Sequence, residues 1–409
     1  DVVRRLRDLR GPFGADGWGL VFVSPSANIP SELEKDVAVL DLPLPGLAEV
    51  AKLFHALLRG EKQTIELDLF ERFVKASLGL TEQEIKRLYS KVLLRHGSFE
   101  AEQLREIINE KRQIIRKAEY LEFHDLGLDM ADVGGLDNLK EWLNSRAGSF
   151  SEKARKYGLP QPKGLFLLGV QGCGKSLTAK AIADLWKVPL LRLDVAALVM
   201  GKGAAEEGMR RTIGIAESMA PAILWVDEIE KAFAGVDGSG AGASAARVFG
   251  SFITWLQEKQ AAVFVVATAN DVRHMPPELL RKGRFDEIFW VDLPNIHERQ
   301  QIFNIHLKRR RRDPTRFDTW KLAEASERFS GAEIEQAIID AMFDAFGKDR
   351  EFATHDVLRS LRATVPLAVT MDQSIKELKE WARDRTRPAT YDSRRIDFFR
   401  DWDQSSVEV

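Results

Sequence analysis

Residues 169 to 176 read GVQGCGKS, an order of residue types that suits one kind of ligand. Gly169, Gly172 and Gly174 let the backbone turn tightly and aim successive N–H groups at a single point. Lys175 adds a mobile ammonium able to reach β and γ phosphates, and the Ser176 hydroxyl can ligate magnesium. Cys173 and Leu177 fall in the same cradle, and the helix-like run that follows directs its positive end at the same place. The full G-x-x-x-x-G-K-[ST] pattern, entered from an apolar run at 165 to 168, points to a nucleotide phosphate site rather than to a plain glycine turn.

Two further segments carry polar groups at the ends of apolar runs. In AILWVDEIEK (222 to 231), Asp227 and Glu228 follow the unbroken apolar stretch Ile223 to Val226. Asp227 is suited to hold magnesium, usually through water, and Glu228 to orient and deprotonate an attacking water. Alone, an Asp-Glu pair reads as a solvated acidic loop; it acquires meaning from the phosphate loop upstream. In VFVVATAN (263 to 270), Asn270 either aligns water and the terminal phosphate or caps a turn, and residue chemistry leaves both open.

The elements that must position these groups follow from the pattern. Apolar runs without alternation are buried parallel strands, and polar residues just past their ends lie at the carboxyl edge of an open α/β sheet, where such sheets bind ligands. The expected core is a parallel sheet with helices on both faces over 124–296. ERQQIFNIHLKRR, TWKLAEASERF, GAEIEQAIIDAMFDAF and THDVLRSLR then make a helical lid over 297–363, followed by an extension over 364–409. VDGSGAGASAA (236 to 246) reads as a mobile loop before a helix beginning ARVFG.

Composition narrows the classes. The chain has 409 residues, with 60 Lys and Arg against 62 Asp and Glu, so no domain-wide cationic field invites nucleic acid. KRRRR at 308 to 312 is the main basic cluster and reads first as a solvated helix end. One cysteine and 7 histidines without metal-ligand spacing disfavour disulfides and a structural zinc site. No apolar run approaches a bilayer span, so membrane insertion is not expected, and a reducing compartment such as the cytoplasm is. The sequence starts DVVRRL without methionine, which leaves open whether residues precede Asp1 or the start is a mature or edited one.

With DVGGLDNLKEWL (132 to 143), the phosphate loop, WVDE, VVATAND, PPELLRKGRFDEIFWVDLP and FSGAEIEQAI in view, the chain resembles the classical AAA+ ATPases. Within them it is similar to the plastid and cyanobacterial family of uncharacterised AAA domain proteins linked to regulation of carbon dioxide uptake. The resemblance implies an AAA+ P-loop NTPase fold, magnesium-dependent ATP hydrolysis, and a homo-oligomer, either a hexamer or a transient ring, acting on a protein partner. It implies Lys175 and Ser176 as the Walker A pair, Asp227 and Glu228 as the Walker B pair, Asn270 as sensor 1, and Val133 and Gly134 as the backbone that reads adenine. Arg281 and Arg284 match the arginines such rings present to ATP bound by the neighbouring subunit. Ala332 stands where some relatives carry a second sensor arginine.

Two departures matter. The segment resembling the central pore loop places Gly201, Lys202 and Gly203, or on a shifted alignment Val199, Met200 and Gly201, where threading relatives carry an aromatic grip. A nucleotide-gated scaffold with slow turnover therefore stands beside the remodelling ATPase, and a nucleic-acid-dependent motor ranks third. In addition, residues 21 to 94 echo 263 to 345 in order: VFVSPSAN with VFVVATAN, VLDLPLP with FWVDLP, AEVAKLFHALLR with ERQQIFNIHLKR. This predicts that 1–104 is the remnant of a degenerate AAA+-like module, a terminal strand and a helical lid, lacking its own phosphate loop and arginine pair. A helical linker over 105–123 would join it to the ATPase.

Overall fold

The computed structural model describes residues 44–391 apart from 105, 108, 111–119, 125–128, 201–204, 233–240, 274 and 282, together with 2–8, 20–23 and a few positions from 29 to 40. Two compact units divide at Pro45 and Gly46. In the first, Val2–Asp8 is a helix. Where a terminal strand is expected, Leu20 to Val23 are exposed and join no ladder among the described residues, and 24–28 lie outside them.

The second unit begins with α1 (Leu47–Gly60), α2 (Leu67–Ser77) and α3 (Glu82–His96), whose apolar faces meet around Phe54, Phe73, Leu80, Ile85 and Tyr89. Thr81 and Glu84 form a capping box that starts α3, and Gly97 in the left-handed region ends it. Buried Tyr89 and Ser77 share a 2.7 Å hydrogen bond inside this core. The turn between α2 and α3 presses on the sheet-bearing part of the unit: a Cβ on Gly79, at φ 86, would stand 2.2 Å from the Ser218 carbonyl oxygen.

Seven strands follow: β1 (Leu121–His124), β2 (Gly164–Gly169), β3 (Leu190–Leu193), β4 (Ala222–Val226), β5 (Val263–Ala269), β6 (Glu287–Val291) and β7 (Arg387–Pro388). Their order is β1-β3-β4-β5-β2-β6-β7, parallel except for the antiparallel pair β1–β3. Strands β2, β4 and β5 are buried along their whole length, as unalternating apolar runs require of strands covered on both faces. One face carries α4 (Asp137–Asn144) and α5 (Lys175–Trp186) around Leu139, Ile182 and Trp186. The other carries α6 (Ala205–Ser218) and α7 (Ala241–Glu258) around Met209, Phe249 and Phe252.

Two expectations are adjusted. The linker was expected to remain helical to 123, yet Leu121–His124 is an edge strand, because YLEFH alternates and offers a period-two face to β3. Helix α7 starts at Ala241 instead of near 246, in keeping with the strong helix preference of its alanines; the remainder of the expected loop, 236–240, lies outside the described residues. The extension after the lid returns to the sheet.

That lid consists of α8 (Ile296–Arg309), α9 (Thr319–Ala325), α10 (Gly331–Phe346) and α11 (Thr354–Ala363), packed about Phe303, Leu307, Ile334 and Val357. Helix α12 (Asp372–Arg383) then lays Ile375, Leu378, Trp381 and Ala382 on the α6–α7 face of the sheet. Past it, β7 pairs with β6. The basic run 308–312 is partly neutralised: Arg310 meets Glu335 at 2.9 Å and Arg312 meets Glu351 at 2.8 Å.

Candidate functional site

Strands β2, β4 and β5 are neighbours, so the phosphate loop, the Asp227–Glu228 pair and Asn270 all emerge at one sheet edge. They line a single cavity of about 300 Å³. Of the sequence-predicted residues, Val133, Gly134, Gly172, Cys173, Gly174, Lys175, Ser176, Leu177, Asp227, Glu228 and Asn270 border it. Gly169 sits beneath them, where a Cβ would lie 1.9 Å from the Val291 carbonyl oxygen. Arg281 and Arg284 do not line the cavity.

Lys175 opens α5 and is only 6% exposed. Its ammonium donates to the carbonyls of Gly169 at 2.8 Å and Val170 at 2.7 Å, which holds it folded under its own loop. Burial pushes its pKa down to about 8, outweighing the nearby acidic groups. Burial also pushes the Cys173 thiol up to about 12, so that residue borders the cavity uncharged.

The carboxylate pair is divided by direction. Ser176 Oγ donates to Asp227 Oδ1 at 2.8 Å, and Thr268 Oγ1 donates to the same oxygen at 2.6 Å. A hydroxyl and a carboxylate oxygen side by side are hard donors that suit magnesium. Glu228 turns away with its backbone at φ 48, a left-handed conformation that costs a non-glycine residue energy and tends to cluster at working sites. Its N–H is held by Thr268 Oγ1 at 3.0 Å, and its carboxylate pairs with Lys231. Asn270 Nδ2 donates to Glu228 Oε1 at 3.1 Å and to Glu230 Oε1 at 3.2 Å, while its backbone N–H donates to Glu230 at 3.0 Å. The amide thus addresses Glu228 and Glu230 rather than capping its own turn.

Sequence reasoning passed over Thr268 and Glu230. The signal for Thr268 was present, two residues before Asn270 and so on the same side of β5. Burial raises the Glu230 pKa, partly offset by hydrogen bonds from Asn270, and its Oε2 is buried without a hydrogen-bond partner among the described residues.

The opposite end of the cavity is built by Asp132 to Leu136 and by lid residues including Ile302, Ile305, His306 and Glu335. The lid also touches the phosphate loop directly, since Ala332 N donates to the Gly172 carbonyl at 3.1 Å. Outside the cavity, Arg281 is exposed. Asp286 accepts from Lys163 N at 2.8 Å and Gly164 N at 3.0 Å, which fixes the GRFD turn, and Arg284 Nη1 is buried with no hydrogen-bond partner among the described residues. Gly201, Lys202 and Gly203 lie outside the described residues.

A parallel sheet with this strand order, a phosphate loop between β2 and α5, and a helical lid closing on that loop together define a P-loop ATPase domain of the AAA type. The ATPase family associated with various cellular activities (AAA) matches residues 165–293, and the SpoVK-like AAA ATPase second domain matches residues 48–118. The chain is 45% identical over 392 residues to the uncharacterized AAA domain-containing protein ycf46 of Pyropia yezoensis, covering 95% of this chain and 80% of that protein. The protein of the same name from Guillardia theta is 45% identical over 383 residues, 93% of this chain and 76% of its own length. The chain belongs to this ycf46 family of AAA domain-containing proteins. A more distant likeness, 32% identity over 226 residues, reaches the ATP-dependent zinc metalloprotease FtsH of Pirellula staleyi, covering 53% of this chain and 32% of that protein. Among solved structures, the FIGL-1 AAA domain superposes with a TM-score of 0.53 at 20% identity, spanning 68% of this chain and 96% of that one, and so shares the fold. No helix among the described residues is long and apolar enough to cross a membrane.

Proposed function

We propose that the chain is a magnesium-dependent ATPase that works as a homo-oligomer, a hexamer or a transient ring, and couples its nucleotide state to remodelling or regulating a protein partner. The observation that carries this reading is the convergence of Lys175, Ser176, Asp227, Glu228 and Asn270 on one cavity, with Arg281 and Arg284 left outside it. The loop N–H groups and Lys175 would hold the phosphates, and the Val133–Leu136 segment would receive the adenine. Magnesium, bound by Ser176 and with Asp227 through water, would spread charge over the phosphate oxygens. Asn270 aligns the Glu228 carboxylate, which takes a proton from water as that water attacks. Arg284, with an N–H that has no hydrogen-bond partner among the described residues, and exposed Arg281 are suited to stabilise the charge developing in an adjoining copy.

Residues 1–104 are proposed as the remnant of a degenerate AAA+-like module that supports assembly or partner binding. The SpoVK-like second-domain match over 48–118 and the self-contained helical core support this. The structural boundaries suggested for the ATPase are 121–296, with the lid over 297–363 and an extension beyond it that is tied back to the sheet. Function in the plastid stroma, or in the cytoplasm of a cell without plastids, accords with the plastid character of the relatives' family.

Steady-state hydrolysis by Glu228→Gln tests the reading. The variant should bind ATP and lose at least about 10²-fold in turnover, the usual contribution of a positioned base. Unchanged turnover would sink it. The alternative, a slow nucleotide-gated scaffold, is favoured by the absence of an aromatic residue at 201–203. If Glu228→Gln with ATP gives the full partner response, that alternative is correct.

A further inference from the structure

The base end of the cavity is shaped by side chains that belong to no motif. Glu298, in the first turn of α8, is 6% exposed and has both carboxylate oxygens engaged. Its Oε2 accepts from Asn295 N at 2.9 Å, closing a capping box. Its Oε1 accepts from Leu136 N at 3.1 Å and from the Thr390 hydroxyl at 2.7 Å. Nearby, Gln301 Oε1 accepts from Gly135 N at 2.9 Å, and Lys140 Nζ donates to the Val133 carbonyl at 2.5 Å. The loop lining the base end therefore takes its shape from side chains around it.

That shape is strained. Gly135 and Leu136 stand at φ 66 and 59, and the left-handed region disfavours a leucine. The arrangement persists because a buried carboxylate must keep its partners, and Leu136 N is one of them. The Thr390 hydroxyl approaches Glu298 from beyond β7. Asn138 Nδ2 donates to the carbonyls of Pro388 at 3.2 Å and Thr390 at 3.3 Å, and Leu139 N donates to Ala389 O at 3.1 Å, which fixes where that hydroxyl stands.

We infer that Glu298 is the positioning residue for the base end of the cavity and that the C-terminal extension, through Thr390, sets the place of its carboxylate. The inference rests on the cavity taking ATP. Losing the hydroxyl removes the shortest bond to Glu298 Oε1 and frees the carboxylate to turn from Leu136 N. The loop then relaxes, and the surface offered to the base moves. The phosphate cradle at Gly172 to Ser176 makes none of these contacts and keeps its shape. Affinity that depends on the nucleoside should fall while affinity for polyphosphate alone holds.

Calorimetric titration of the full chain with ADP and with tripolyphosphate, each with magnesium, tests this in wild type, Thr390→Val, Thr390→Ser and Glu298→Gln. Thr390→Val should weaken ADP by about threefold to tenfold, a fraction of what a hydrogen bond to a carboxylate contributes, and leave tripolyphosphate unchanged. Thr390→Ser should restore ADP. Glu298→Gln should also weaken ADP, because a neutral amide oxygen accepts more weakly than a carboxylate from Leu136 N and the Thr390 hydroxyl, whichever way the amide turns. Wild-type ADP affinity in Thr390→Val overturns the inference, and so does an equal loss for both ligands. Wild-type protein that binds neither ADP nor ATP overturns the ATP reading itself, and this inference with it.

Discussion

Lys175 grips the carbonyls of Gly169 and Val170 in a buried site that pushes its pKa down to about 8. A bound polyphosphate raises that pKa again by adding negative charge. Below pH 8 the ammonium is charged with or without ligand, and affinity should be flat. Above it, binding takes up a proton, and affinity should fall with rising pH by up to about tenfold per unit. Titration from about pH 7 to about 9.5 in buffers of unlike ionisation heat checks both the slope and the proton uptake; a flat profile would contradict it. At this scale the sequence was most legible where chemistry demands contiguous residues, as in GVQGCGKS and the Asp227–Glu228 pair. It was least legible at Thr268 and Glu230, whose importance comes from the strand neighbour each faces, and strand order is a property of the folded sheet.

The lid and the base loop depend on one another through a glycine. A Cβ on Gly135 would stand 2.0 Å from Glu298 Oε1, and the three bonds to that carboxylate leave it little room to yield. Gly135→Ala should therefore cost about 1–3 kcal/mol of stability, from clash and positive φ together, read as a lower denaturation midpoint. An unshifted midpoint would mean the lid helix is less firmly seated than these contacts require. Helices α8, α10 and α11 were readable from their apolar periodicity, whereas the capping boxes at Asn295 and Ser330 emerge only with the structure, and the cap expected at Thr354 is corrected, since Ala353 holds that position. The two edge strands were not. The strand β1 is four residues and β7 only two, too short for alternation to stand out, and each exists because an exposed sheet edge offered it partners.

For the whole molecule, the position of the arginine pair outside its own chain's cavity makes the strongest demand. If Arg284 acts on a neighbour's ATP, Arg284→Ala and Glu228→Gln proteins, each inactive alone, should recover activity when mixed, because some mixed interfaces combine an intact base with an intact arginine. Recovery should rise with protein concentration, and its absence at concentrations where the variants co-assemble would place both residues in one chain's reaction. The repeat over 21 to 94 was legible as an ordered echo and its helices α1 to α3 are present, but the sequence did not disclose that Gly79 presses against Ser218. Nor did it disclose that the stretch after the lid returns to finish the sheet.

That return has a consequence for how the protein is made. A ribosome delivers the phosphate loop early and Thr390 late, yet Thr390 touches the carboxylate that holds Leu136 in place. A nascent chain can present its glycine cradle while the loop at Leu136 still lacks the hydroxyl that fixes Glu298. If the cavity takes a nucleotide as proposed, affinity for the nucleoside should rise by about threefold to tenfold once residue 390 has left the exit tunnel.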